Sequence, residues 1–163
     1  MKERINVYFA APIVGVSDEF KEKINNVKEM LQSSVRLSVY DPKEYGNGAT
    51  NKWGHNLDEW CRVIFELDAA AIKRCDWIVV CDFGRYGTSG TAWECGYAFG
   101  LRKKVFVVEM DEDPSTSYSV MIRGCSANYC KYSELVNSDI EDLVEKWFVE
   151  RGRVADYKGT TLD

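Results

Sequence analysis

Two short runs decide most of what this chain can become: residues 77–81, WIVVC, and residues 104–108, KVFVV. A strand with one wet face alternates apolar and polar side chains, whereas an almost unbroken apolar run requires cover on both faces. Both runs are too short for core helices, so they read as strands inside a parallel sheet. Helical spacing surrounds them. Phe20, Ile24, Val27, Met30 and Leu31 recur at that spacing, with Ser17 as the N-cap. Leu57, Trp60, Ile64, Leu67, Ala71 and Ile72 do the same over 56–74. Residues 5–11 (INVYFAA) and 35–40 read as further strands, 128–132 as a weaker one, and 133–151 as a last helix.

Strand and helix therefore alternate along the chain. That order predicts an α/β fold: a doubly wound parallel sheet of about five strands with helices on both faces. No repeat or linker divides the sequence, and 163 residues suit a single domain over 1–163. In such sheets ligands bind beyond the carboxyl ends of the strands. Here that edge gathers the residues after Ala11, the Gly- and Asn-rich loop 41–55, the turn after Cys81 and the loop after Val108.

The formal charge of −5 argues against a general surface for nucleic acid or anionic membranes. No apolar run approaches the roughly 18 to 20 residues of a membrane span, and Pro12 ends the opening run too soon for a signal peptide. Six cysteines are present without a C-x-x-C pair, and there is a single histidine. Reduced thiols in a cytoplasmic protein fit this better than a disulfide framework or a zinc site.

One carboxylate interrupts TSGTAWECGYAFG, residues 88–100: Glu94. Thr91-Ala-Trp-Glu94 matches the S/T-x-x-E capping box, which would place Glu94 in a first helical turn and favour its anion. Its place at the binding edge of the sheet favours a chemical role. Asp68 lies on the helix before WIVVC, among Leu67 and Ala69–Ala71, and is expected to be only partly exposed. A helix-surface acid near Lys73 and Arg74 is the plainer reading of it. Tyr8 alternates with Val7 and Phe9 in the first strand, where core packing alone would explain it. Two carboxylates and a tyrosine converging on one cleft suit glycosidic bond chemistry, in which one carboxylate attacks the anomeric carbon and the other handles the leaving-group proton.

The segments VYFAAPI (7–13), LDAAAIKRCDWIVVCDFG (67–84) and SGTAWECGYAFGLRKKVFVV (89–108) resemble the nucleoside 2-deoxyribosyltransferase superfamily. The resemblance implies a flavodoxin-like sheet and cleavage of the N-glycosidic bond of deoxynucleosides, with transfer of the sugar to a second base. It places the nucleophile on Glu94, the acid/base on Asp68 and the tyrosine that orients the nucleophile on Tyr8. It makes Trp60 an aromatic flanking the site, puts Gly90 and Glu44 among the substrate-binding positions, and likens Tyr157 to a C-terminal segment (here 152–163) that closes over the base. It implies no metal or organic cofactor. The partners it implies are a deoxynucleoside or nucleotide, a nucleobase, and further copies of the chain sharing active sites.

Two positions depart from the transferases. Thr88 stands where an aspartate usually binds the sugar hydroxyls, and Ser119 where an asparagine from a neighbouring subunit does so. Hydroxyls there look more like the sister branch, the 5′-monophosphate N-glycosidases, since an aspartate would repel a phosphate dianion while hydroxyls and helix-start amides accept one. Arg123 in SVMIRG would add a suitable charge. Against that branch, AAPIVGV after the first strand carries no arginine. Deoxyribosyl transfer is the leading expectation, monophosphate hydrolysis the second, and a non-catalytic nucleotide-binding module the third.

Overall fold

A computed structural model of the chain describes residues 4–13, 15–44, 56–84, 87–113, 115 and 119–150. Strands β1 (Ile5–Ala10), β2 (Leu37–Tyr40), β3 (Trp77–Asp82), β4 (Lys104–Glu109) and β5 (Asn128–Lys131) form one sheet in the order β2-β1-β3-β4-β5. Every neighbouring pair is parallel. This is the flavodoxin-like order, and its direction of winding reverses between β1 and β3.

The continuous runs have the expected cause. Along β1, Val7 and Phe9 enter one core while Tyr8 and Ala10 enter the other. Trp77, Val79 and Cys81 of β3 divide in the same way from Ile78 and Val80, as do Phe106 and Val108 of β4 from Val105 and Val107. Helices α1 (Asp18–Ser33), α5 (Tyr132–Val136) and α6 (Ile140–Val149) cover the first face through Val27, Leu31, Leu135, Val144 and Trp147. Helices α2 (Leu57–Arg74), α3 (Ser89–Gly100) and α4 (Val120–Cys125) cover the second through Ala71, Ile72, Cys95, Ala98 and Ile122.

Ser17 caps α1 as expected, accepting from the Phe20 amide. Two expectations need correction. The last helix is two helices: Asp139 accepts from the amides of Glu141 and Asp142 and starts α6 afresh, so the chain turns between Val136 and Ile140. The apolar stripe of α2 is buried only toward its C-terminal end. Ala71 and Ile72 are 2% and 0% exposed, whereas Leu57 and Leu67 are 70% and 41% exposed. Among the described residues no helix is long and apolar enough to cross a membrane.

Candidate active site

Tyr8 points into the face under α2 and α3 because its strand neighbours take the other face. It is fully buried and stacks on Tyr40 with ring centroids 5.6 Å apart. Its hydroxyl donates to Glu94 Oε1 at 2.6 Å across 86 residues of sequence. The bond engages one carboxylate oxygen and leaves Oε2 for other work. Burial, then the neighbouring Glu94 charge, hold the Tyr8 phenol far above its usual range, so it remains a donor.

The capping-box reading of Glu94 is overturned. The N-cap of α3 is Thr88, whose side chain accepts from the Thr91 amide, and no acid lies in the first turn. Thr88 and Thr91 also share a hydroxyl contact of 3.0 Å. The helix therefore begins a turn earlier than Thr91 would set it, and Glu94 falls in the second turn. The end charge of a helix fades within its first turn, so the expected dipole support for the anion is largely lost. Burial instead raises Glu94 to about 7, with Asp68 adding to the rise and the Tyr8 bond opposing it.

Asp68 is half-buried on α2, and that burial raises it to about 6. Its charge is felt at both Glu94 and Tyr8, which puts it within electrostatic reach of that pair. The sign of the Glu94 shift carries a stability consequence. Its ordinary value is 4.5 and its folded value about 7, so the carboxyl favours the fold below 4.5 and loses that contribution as pH rises to 7. Glu94→Gln keeps an acceptor for Tyr8 and cannot ionise. The variant should match the parent at pH 4 and unfold at a higher urea concentration at pH 8, by about 1 to 3 kcal/mol in urea titrations.

The remaining expected positions divide. Trp60, on the same helix as Asp68, has a buried indole N–H with no hydrogen-bond partner among the described residues. Thr88 and Ser119 both stand at helix starts, where each hydroxyl accepts an amide of its own helix, from Thr91 and Ile122. Gly90 is exposed in the first turn of α3, and a Cβ there would meet only the Thr88 hydroxyl at 4.0 Å. Glu44 is exposed and paired with Lys28 of α1 at 3.1 Å. Tyr157 and the tail 152–163 lie outside the described residues.

Arg123 is not left as an open charge. Its Nη1 bonds Glu109 Oε1 at 2.9 Å, and its guanidinium lies 4.0 Å over the Tyr129 ring. The Glu109 side chain is only 6% exposed, so this pair is largely shielded from water.

One residue at this edge escaped the sequence reading. Asp82 ends β3, is 1% exposed, and accepts from the amides of Gly84 and Ser119 at 2.9 and 3.0 Å. It buckles the turn after β3 to the start of α4 and so fixes where Ser119 stands. The available signal was an acid closing a run buried on both faces, since such an acid must find donors. Among the described residues no group of three or more His, Cys, Asp or Glu side chains is placed to hold a metal ion.

A family model described as nucleoside 2-deoxyribosyltransferase matches residues 7–152. No curated protein sequence matches the chain. Among solved structures, a 2-deoxyribosyltransferase from Bacillus psychrosaccharolyticus is similar at 22% identity and TM-score 0.63, over 85% of this chain and 95% of its own. A conserved protein from Enterococcus faecalis V583 is similar at 18% identity and TM-score 0.64, over 86% of this chain and 99% of its own. A CMP N-glycosidase, BcmB, from Clostridium botulinum is similar at 20% identity and TM-score 0.53, over 86% and 98%. At these identities the three structures show a shared fold.

Proposed function

The chain belongs to the nucleoside 2-deoxyribosyltransferase family, and we propose that it cleaves the N-glycosidic bond of 2′-deoxynucleosides and passes the sugar to another nucleobase. The observation that carries this reading is the Glu94 carboxylate, held by the buried Tyr8 hydroxyl at 2.6 Å within electrostatic reach of Asp68. In the proposed first step Glu94 Oε2 attacks C1′. The C1′–N bond breaks and its electron pair leaves on the base, which takes a proton from Asp68. The transition state has oxocarbenium character, and a sugar without a 2′-hydroxyl reaches it more readily. In the second step a nitrogen of the incoming base attacks C1′, Glu94 departs, and Asp68 takes the proton back.

Before substrate binds, Asp68, at about 6, gives up its proton ahead of Glu94, at about 7. Attack needs the proton the other way round. Moving it from Glu94 to Asp68 costs on the order of 1 kcal/mol for one unit of difference. A base nitrogen accepting from Asp68 and positive charge growing at C1′ both favour the productive arrangement.

The Arg123 pairing with Glu109 supports a nucleoside over its 5′-monophosphate. The one cation in SVMIRG is committed elsewhere, while Asp68, Asp82 and Glu94 all raise the cost of a dianion. Hydrolysis of a monophosphate is the second reading, favoured by the Thr88 and Ser119 hydroxyls at two helix starts. Deoxynucleosides and their 5′-monophosphates, assayed side by side with and without an acceptor base, separate the two. The leading reading expects base exchange on the unphosphorylated substrate. Free base and sugar phosphate from the monophosphate alone would replace it with the second.

Trp60 supplies the next test. An unpartnered buried N–H loses free energy until something accepts from it, and in this reading the bound nucleoside does so. Trp60→Phe keeps an aromatic wall and removes the donor. KM should rise roughly tenfold with kcat changed far less, as measured by initial rates across substrate concentrations.

A further inference from the structure

Cys95 directly follows Glu94 on α3, and Cys125 closes α4. Their sulfurs lie 3.2 Å apart. This is a thiol–thiol contact between two helices packed side by side, and the proposed reaction uses neither group. Cys95 is 1% exposed, while Cys125 is half-buried. We propose that Cys95 and Cys125 form a reversible oxidation site, which hydrogen peroxide converts to an intramolecular disulfide tying α4 to α3.

The contact sets the order of events. The bond from the Cys95 thiol holds Cys125 below the usual thiol range, and the same bond with burial pushes Cys95 up. Cys125 Sγ donates to the Ile122 carbonyl at 3.2 Å, and as the less buried of the two it is the thiol that, once deprotonated, meets the oxidant, with Cys95 the resolving thiol. The Cys125 sulfur attacks one peroxide oxygen: an S–O bond forms, the O–O bond breaks, and hydroxide leaves to become water. The Cys95 sulfur then attacks the Cys125 sulfur, the S–S bond forms, and the oxygen leaves as water with the Cys95 proton. Two thiols lose two electrons, one peroxide gains them, and two waters result.

Little movement is needed. A disulfide is about 2.05 Å long, so the sulfurs close by roughly 1 Å. Helix α4 has 6 residues and α3 has 12, three of them buried against the sheet face, so α4 yields first. The bond would fix the helix that begins at Ser119 to the helix that carries Glu94. No other cysteine offers this arrangement among the described contacts: burial pushes Cys75 to about 11 and Cys130 to about 12, and holds Cys81 higher still.

The test uses the full chain carrying Cys61→Ser, which removes the exposed thiol that could link two molecules. The protein is treated with hydrogen peroxide, remaining thiols are alkylated, and the digest is mapped by mass. The expected product is one pair of peptides joined through Cys95 and Cys125, with loss of two hydrogens from the whole protein and full reversal by dithiothreitol. Amide exchange over 122–125 should slow at least about tenfold in the oxidised form. With Cys125→Ser added, the link and the slowing should vanish; Cys95→Ala gives a second, independent loss of the link, with Cys125 stopping at a sulfenic or sulfinic acid. Both thiols recovered unlinked after peroxide, a link through Cys81 and Cys130 instead, or unchanged exchange over 122–125 would overturn the proposal. These readouts need no assay of turnover, so they stand or fall apart from the proposed function.

Discussion

Alanine at Glu94 should abolish turnover, with kcat on a deoxynucleoside falling at least about 10⁴-fold and the fold left intact. Base exchange, followed by chromatography of the nucleosides, is the measurement. The size of the loss comes from removing the group that forms the bond to C1′, with no second acid at its position. Asp68 lies on α2, and Tyr8 is a donor held protonated by burial and by the Glu94 charge. Neither can supply an anion in its place. Substrate binding should be nearly unaffected, because Glu94 contributes to the transition state rather than to recognition of the base. Stability at pH 8 should change little, since removing a carboxyl that burial holds near 7 is offset by leaving the buried Tyr8 hydroxyl without its acceptor. A variant that keeps a tenth of the parent kcat would remove Glu94 from the chemistry.

Asparagine at Asp68 gives the second large effect, a loss of about 10² to 10⁴ in kcat. Its pH profile identifies the cause. In the parent enzyme Asp68 near 6 and Glu94 near 7 titrate as a pair that holds one proton between those values. Below about 6 both are protonated and there is no nucleophile. Above about 7 both are ionised and there is no proton for the leaving base. The parent kcat/KM should therefore trace a bell with its top between the two. In the variant the proton donor is gone, so the alkaline fall should disappear and the small residual rate should level off. The remaining limb should move below the parent's upper one, because the Asp68 charge that helps to raise Glu94 is absent. A nucleoside whose base departs without a proton should lose far less. An unchanged alkaline limb in Asp68→Asn would assign that limb to another group.

The sheet was legible because cores on both faces leave an unbroken apolar run. WIVVC and KVFVV show that pattern, and Val7, Tyr8, Phe9 and Ala10 divide between the two cores as a strand of period two must. The helix ends were less legible, since caps depend on which of several hydroxyls the backbone selects. Thr88 and Thr91 both offer a cap before Glu94, and the fold uses Thr88. That choice moved Glu94 out of the first turn and changed the expected electrostatics from a favoured anion to a reluctant one. Long-range pairings were invisible for the same reason. Nothing near Arg123 in sequence announces Glu109, and nothing near Asp82 announces the Ser119 amide. Tyr8 and Glu94, 86 residues apart, met as expected because their placement followed from the order of strands rather than from local spacing.

The most direct test is to find the sugar on the nucleophile. The enzyme is mixed with a deoxynucleoside in the absence of an acceptor base, quenched in acid within the first turnovers, and digested for mass mapping. The account predicts one deoxyribosyl group on the peptide containing Glu94, attached at that residue, gone when a second base is added before the quench, and missing in Glu94→Ala. A sugar attached to Asp68, or rapid base release with no adduct on any residue, would contradict it.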